Sequence, residues 1–146
     1  MDTVGSLIDK ISIAEKRISV LNDESTIYDI QRQIGWMMLE IGHILLEGFS
    51  NSRPLTFSKH KVYDKDVKDF TIDSLLELIN SLKTHNEILW DLEDTRRDKS
   101  LDDSTRLSAA DEVAVFNKKR NDTIDKIDSL VERYVMMAVV DKEGPI

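Results

Sequence analysis

Apolar residues recur every three or four positions along four segments of the chain, which is the spacing of amphipathic α-helices. The segments span about residues 4–22, 26–48, 72–97 and 109–137. Their apolar stripes are, in chain order, Ile8, Ile11, Ala14, Ile18 and Leu21; Ile27, Ile30, Ile34, Met37, Met38, Ile41 and Leu45; Leu75, Ile79, Leu82, Leu89 and Leu92; and Val113, Phe116, Ile124, Ile127, Val131 and Tyr134. The pattern predicts an all-α fold.

The connections between these segments differ in length. The first and last are short, whereas residues 49–71 form a link that is long for two helices. This arrangement predicts two helical hairpins joined by a crossover loop and packed as a four-helix bundle, with residues 1–146 as one helical domain. The loop is locally basic through Lys59, His60, Lys61, Lys65 and Lys68, and it could be a lid that contacts anions or a solvated crossover.

Hydroxyl side chains placed three residues before an acid predict where three of the helices begin. Such pairs can form capping boxes, in which each side chain bonds the backbone of the other residue. The candidate pairs are Ser6 with Asp9, Thr26 with Asp29, and Ser108 with Asp111.

Composition narrows the class of protein. With 146 residues, 40% of them hydrophobic, the chain is long enough to bury a core. A net charge of −8 argues against binding to nucleic acid backbones, which requires clustered cations. The absence of cysteine excludes disulfides and thiolate chemistry. No apolar run approaches the ~18 residues of a membrane span, and the N-terminus lacks the features of a signal peptide. We therefore expect a cytoplasmic protein.

Arg120 is the clearest interruption of an apolar stripe. It shares a helix face with Phe116, Ile124 and Ile127, so its guanidinium is expected to lie at the core edge. A buried guanidinium is costly unless a carboxylate or phosphate meets it. Asn117 and Asn121 flank Arg120 at helical spacing.

The third helix offers partners for Arg120. Asn86, Trp90, Glu93 and Arg97 follow one another at helical spacing, and Asp94 is adjacent. If the third and fourth helices are antiparallel neighbours, Glu93 or Asp94 is predicted to reach Arg120. Asp9 and Lys10 add charge beside the stripe of the first helix.

This polar cluster has two interpretations. It could be an ion-pair and amide network that fixes helix register. Alternatively, it is a pocket in which the cations bind an anionic ligand. The carboxylates would then either brace these cations or bind Mg²⁺. The candidate ligand-binding residues are Lys10, Asn86, Trp90, Arg97, Asn117, Arg120 and Asn121, and the candidate metal ligands are Asp9, Glu93 and Asp94.

Two further patterns lie in the second segment. Glu40 and His43 have the spacing used in di-iron bundles, but the Glu-x-x-His motif is not repeated. Gly35 and Gly42 lie seven residues apart and, with Trp36, could form a self-association face or an internal helix contact. We expect a homo-oligomer, most simply a homodimer.

Three sequence blocks resemble a family of uncharacterised helical proteins from bacteria and phages. The blocks are "GSLIDKISIAEKRI" at 5–18, "NEILWDLEDTRRD" at 86–98 and "NKKRNDTIDKID" at 117–128. The resemblance implies no established activity. It hints at sugar or nucleotide phosphates as ligands and, if the chain is phage-encoded, at the host cytoplasm. By position, the polar residues that this chain would share with the family are Asp9, Lys10, Asn86, Trp90, Glu93, Asp94, Arg97, Asn117, Arg120 and Asn121.

The acidic helices are also similar to all-helical nucleoside triphosphate pyrophosphohydrolases, which hold Mg²⁺ between helices. The E-x-x-E and E-x-x-D pairs of those enzymes are not reproduced here. The sequence thus favours an accessory protein that binds a nucleotide or sugar nucleotide in a polar pocket between helices. The alternatives are a Mg²⁺-dependent pyrophosphohydrolase and a structural helical partner protein without a ligand.

Overall fold

The computed structural model describes residues 1–50 and 71–143, with side chains through residue 137. These residues form four α-helices: α1 (Val4–Val20), α2 (Glu24–Ser50), α3 (Ile72–Arg97) and α4 (Asp103–Glu143). No β-strand occurs within these ranges. The predicted all-α, four-helix-bundle-like architecture is confirmed.

The first helix begins one turn earlier than its predicted capping box. Thr3 is the N-cap, and its hydroxyl accepts a hydrogen bond from the Ser6 backbone N–H at 3.0 Å. The Ser6 hydroxyl in turn accepts from the Thr3 N–H at 2.8 Å, which completes the box. The predicted pair of Ser6 with Asp9 was wrong, because Ser6 already lies inside the helix and Asp9 is buried elsewhere.

Aspartates begin the second and fourth helices. The Asp23 side chain accepts from the Ser25 N–H and the Thr26 hydroxyl, and the Asp102 side chain accepts from the Thr105 N–H. The predicted boxes at Thr26–Asp29 and Ser108–Asp111 were therefore wrong, because both helices begin upstream of them. Helix α4 starts at Asp103, well before the predicted residue 109, and leaves only a short turn after α3.

The core is concentrated at one end of α1 and along α3 and α4. Its buried apolar residues are Val4, Leu7, Ile30, Leu82, Leu89, Ala109, Ile127, Leu130, Val131 and Val135. Ile41, Ile44 and Leu45 of α2 pack against this core from the side. The predicted stripes located α3 correctly at Leu82 and Leu89, but on α1 they omitted Val4 and Leu7, which are the most deeply buried.

The helices pack as two hairpins, with α1 beside α2 and α3 beside α4. Helix α1 also contacts both α3 and α4, and α2 contacts α4. As a result, α1 brings side chains to both members of the second hairpin, and this position decides where the polar cluster forms.

Most of the predicted crossover loop, 49–71, lies outside the described residues. Helix α2 continues through Ser50, and Thr71 caps α3 by accepting from the Ser74 N–H at 3.2 Å. The five residues on which the lid interpretation rests, from Lys59 to Lys68, fall within 51–70 and are therefore outside the described ranges as well. Among the helices that the structure describes, none combines the length and apolarity needed to cross a membrane.

Candidate functional site

Arg120 forms a two-point ion pair with Asp9 across the interface of α4 with α1. Its Nε donates to Asp9 Oδ1 at 2.9 Å and its Nη2 donates to Oδ2 at 2.7 Å. Asp9 is buried, with 3% of its surface exposed, whereas the Arg120 side chain keeps 29%. The hydrogen bonds to Asp9 raise the pKa of Arg120, and partial burial opposes this effect. The guanidinium is therefore held charged in a fixed orientation.

Asn86 adds the third helix to this pair. Its Nδ2 donates to Asp9 Oδ1 at 3.0 Å, and the Asn86 residue is itself buried. A single carboxylate from α1 thus joins an amide of α3 to a guanidinium of α4. We call Asp9, Asn86 and Arg120 the three-helix lock.

The predicted pairing of Arg120 with Glu93 or Asp94 was wrong. Glu93 instead bonds basic residues on its own helix: its Oε2 lies 2.6 Å from Arg96 Nη2 and 3.4 Å from Arg97 Nη2. Spacings of three and four residues bring these groups together without any other helix. Since α1 lies against both α3 and α4, Asp9 supplies the carboxylate that the sequence had assigned to α3.

A cavity of about 320 Å³ lies beside the lock, between α1, α3 and α4. Helix α1 contributes one apolar residue to its lining, α3 contributes six residues, and α4 contributes two. The lining residues are Ile13, Asn86, Leu89, Trp90, Glu93, Asp94, Arg97, Asn117 and Arg120. Five of the seven predicted ligand-binding residues therefore share one cavity.

Two predicted ligand-binding residues and one predicted metal ligand lie away from the cavity lining. Lys10 is exposed and bonds Asp2, with its Nζ 2.8 Å from Asp2 Oδ1. Asn121 is exposed on α4. Asp9 is taken up by the lock, so it stands behind Arg120 without lining the cavity.

The carboxylates near the cavity do not converge. In the part of the chain that the structure describes, no group of three or more His, Asp or Glu side chains is placed to hold a metal ion. The predicted metal ligands Glu93 and Asp94 lie on α3, whereas Asp9 is bonded by Arg120 and Asn86. Glu40 and His43 are both exposed on α2.

A second buried carboxylate, Asp128, holds the beginning of α1. Its Oδ1 accepts a hydrogen bond of 2.6 Å from the Gly5 backbone N–H. A Cβ atom on Gly5 would lie only 2.6 Å from the Ile124 carbonyl oxygen, so a residue without a side chain permits this approach. The sequence offered a signal that our predictions did not use, because Asp128 lies between Ile124 and Val131 on the apolar face of α4.

His85, which precedes Asn86 in α3, is a partly buried titratable group. Its ring lies 6.0 Å from the Phe116 ring, and the Lys119 ammonium stands over the same Phe116 ring at 4.6 Å. Burial lowers the pKa of His85, and the charge of Lys119 lowers it further. Its Nδ1 is buried without a hydrogen-bond partner among the described residues. The fold therefore favours the neutral imidazole.

This lowered pKa predicts a loss of stability in mild acid. The stabilisation that accompanies neutral His85 is complete above the ordinary histidine pKa of about 6.5 and is lost as pH falls through the lower, folded-state value. Thermal melting followed by circular dichroism between about pH 7.5 and pH 5.5 should show a falling Tm. His85→Gln should flatten this dependence, whereas His43→Gln, at an exposed histidine, should retain it. Identical profiles for the wild type and His85→Gln would contradict the prediction.

The fold and the cavity together define an all-helical bundle protein with a pocket between three of its helices that combines apolar, aromatic, amide and charged side chains. Residues 76–145, just under half of the 146-residue chain, match the family described as "Protein of unknown function (DUF4254)". The predicted resemblance to an uncharacterised family is confirmed over this range. Two of the three quoted blocks lie within the matched range, and the block at 5–18 lies outside it. No curated protein matches the chain, and neither does any solved structure.

Proposed function

We propose that this protein binds a small phosphorylated molecule, a nucleotide or a sugar nucleotide, in the cavity between α1, α3 and α4. One observation carries the proposal: hydrogen-bonding groups, an aromatic ring and arginines from separate helices line one cavity. Its volume of about 320 Å³ falls at the lower end of the ~300–1,000 Å³ common for small-molecule sites.

The lock prepares Arg120 for an anionic ligand. Asp9 accepts hydrogen bonds from the Nε–H group and from one Nη2–H group of Arg120. Within the described residues, the other N–H groups of Arg120 donate to no protein acceptor. Because the guanidinium is planar and already held on one edge, it would present its remaining donors to a phosphate with little loss of side-chain entropy.

The lining also favours a ligand with a ring. Trp90 provides an aromatic surface, while Asn86 and Asn117 provide amide groups that can recognise hydroxyls or base edges. The charges of the two lining arginines are matched by those of Glu93 and Asp94, and the charges of Asp9 behind Arg120 and of Arg96 beside Glu93 cancel each other. This balance favours a ligand with few negative charges, such as a monophosphate or a sugar nucleotide, over a metal-free triphosphate.

We also propose that the protein is a homo-oligomer. Support comes from α2, where large apolar side chains are exposed on the side that faces away from the core. The pocket lies on the other three helices, so self-association through α2 would leave it open.

A thermal-shift screen of nucleotides and sugar nucleotides, with and without Mg²⁺, tests the proposed ligand class. At a ligand concentration of about 100 Kd the complex gains ~2.7 kcal/mol, which for a chain of this size raises Tm by roughly 5–10 °C. Arg97→Ala should weaken the binding of the best ligand about tenfold or more, since a hydrogen bond to a charged group contributes roughly 1.5–3 kcal/mol.

Arg96→Ala is the matched control. Both arginines contact Glu93, but only Arg97 lines the cavity. Equal losses in the two variants would place the ligand elsewhere, and the absence of any stabilising ligand would overturn the proposal. Release of pyrophosphate that disappears in Glu93→Ala would instead favour the alternative of a Mg²⁺-dependent pyrophosphohydrolase.

A further inference from the structure

The outward face of α2 carries a regular apolar seam. Starting at Tyr28, residues on this face follow one another in alternating steps of four and three. They are Tyr28, Arg32, Gly35, Leu39, Gly42, Leu46 and Phe49, which we call the outer seam. This heptad spacing keeps the residues on one line along a helix that pairs with another helix. The opposite face of α2 already packs on the core through Ile30, Ile41 and Ile44.

The outer seam is uncovered by the rest of the described chain. Leu39 and Leu46 are 67% and 63% exposed, and a Cβ atom built on Gly35 or Gly42 would meet nothing within 4 Å. Trp36 and Met38 flank the seam and are exposed to a similar degree. Alternation of glycine with leucine gives shallow positions that can receive a large side chain from a partner helix.

The apolar area of this face is of the size that a stable dimer requires. Aromatic side chains present about 150–250 Å² each, so Tyr28, Trp36 and Phe49, which are exposed by 62%, 66% and 41%, contribute roughly 250–400 Å². Leu39, Leu46 and Met38 add a comparable aliphatic area. The sum approaches the ~800 Å² that each partner contributes to a standard interface, and it exceeds what a monomer commonly leaves exposed.

We propose that the outer seam pairs antiparallel with the outer seam of a second copy of this chain. This inference rests on the proposed self-association and specifies its surface and direction. The two-fold axis passes between Met38 and Leu39, so Gly35 faces Gly42 of the partner subunit and Tyr28 faces Phe49 of the partner subunit. The paired glycines allow the two backbones to approach closely on both sides of the axis.

The charges on α2 favour antiparallel over parallel pairing of the two helices. In the antiparallel arrangement Arg32 lies within about two residues, ~3 Å along the axis, of Glu47 of the partner subunit, where it also offsets the nearby carboxylate of Asp29. The Glu47 side chain is 60% exposed and lies 3.3 Å from His43 Nε2 on its own helix. A parallel pair would instead set Arg32 against Arg32 of the partner subunit and align the two helix dipoles, and both effects are repulsive.

Sedimentation velocity over a concentration series tests the proposed surface. The full-length wild type should sediment as a dimer at micromolar concentration, and Leu39→Glu should be a monomer with an intact helical spectrum, because it sets two carboxylates together at the axis. Leu107→Glu is the matched control: Leu107 is also 67% exposed but lies on α4, and this variant should remain a dimer. A wild-type monomer throughout would overturn self-association, whereas a Leu39→Glu dimer would overturn only the seam.

Engineered cysteines test the direction, because the natural chain has none. A mixture of Gly35→Cys and Gly42→Cys chains should form a disulfide-linked heterodimer under mild oxidation. Each variant alone should not cross-link, since its two copies would be offset by about 10 Å along the axis, beyond the ~7 Å limit between Cα atoms. Efficient cross-linking of Gly35→Cys alone would show parallel pairing and overturn the proposal. Ligand screening is independent of both results.

Discussion

Replacing Asp9 with alanine is expected to lower the free energy of unfolding by about 2–4 kcal/mol. The substitution leaves the Arg120 guanidinium at the helix interface without its carboxylate and removes the acceptor of the Asn86 amide. Removing one member of a fully buried pair costs ~3–5 kcal/mol, and the partial exposure of Arg120 allows water to offset part of this loss. Urea unfolding with a fixed m-value measures the change.

Asp2→Ala is the control for this prediction. Asp2 also pairs with a cation, Lys10, but both side chains are substantially exposed, so the loss should stay below about 1 kcal/mol. A double-mutant cycle gives a second check. Asp9→Ala combined with Arg120→Ala should be destabilised by clearly less than the sum of the single variants, because the double variant leaves no uncompensated charge. Additive losses would show that the two residues are not coupled.

Gly5→Ala is expected to destabilise the protein by about 2–4 kcal/mol, although alanine normally improves a helix. The new methyl group would stand 2.6 Å from the Ile124 carbonyl oxygen and 2.8 Å from Asp128 Oδ1. Helix α1 must move away from α4 to relieve this overlap, which disrupts the hydrogen bond from the Gly5 N–H to Asp128. Overpacking of this kind costs ~1–3 kcal/mol, and the weakened charged hydrogen bond adds to it.

Gly35→Ala is expected to have the opposite effect on the free energy of unfolding. Apart from its own helix backbone, a methyl group there meets no atom of the described residues within 4 Å, so alanine should stabilise α2 by about 0.5–1 kcal/mol. Both glycine variants are best compared in the monomeric Leu39→Glu background, where self-association does not contribute to the urea midpoint. Equal effects at Gly5 and Gly35 would contradict the close packing of α1 on α4.

The helices were predictable because their apolar periodicity is long and regular. The residues at which the helices begin were less predictable. Several hydroxyl and carboxylate side chains could serve as the N-cap of each helix, and only the backbone geometry shows which of them does. On α4, polar residues up to Ser108 looked like part of a turn. They are helical because Asp102 caps an earlier start, and the first turns of the helix remain on the surface.

The candidate site was predictable in its members but not in its pairings. Helical spacing placed Asn86, Trp90 and Arg97 on one face, and five predicted ligand-binding residues do line one cavity. Periodicity cannot say which helices pack against one another, however, and Arg120 pairs with Asp9 because α1 contacts both α3 and α4. Periodicity does place Asp128 on the apolar face of α4, but it cannot identify the partner, which is a backbone N–H 123 residues away in sequence.

The three-helix lock also has a consequence for the order in which the chain assembles. Helices α3 and α4 are joined by a short turn and can form a local hairpin, whereas the bonds from Asp9 to Asn86 and Arg120 span 77 and 111 residues. Closing such long loops costs entropy, so we expect α1 to dock late and its amides to exchange hydrogen sooner than those of α3. Residues 76–145, the region shared with the family, therefore depend on a carboxylate from outside themselves to neutralise Arg120.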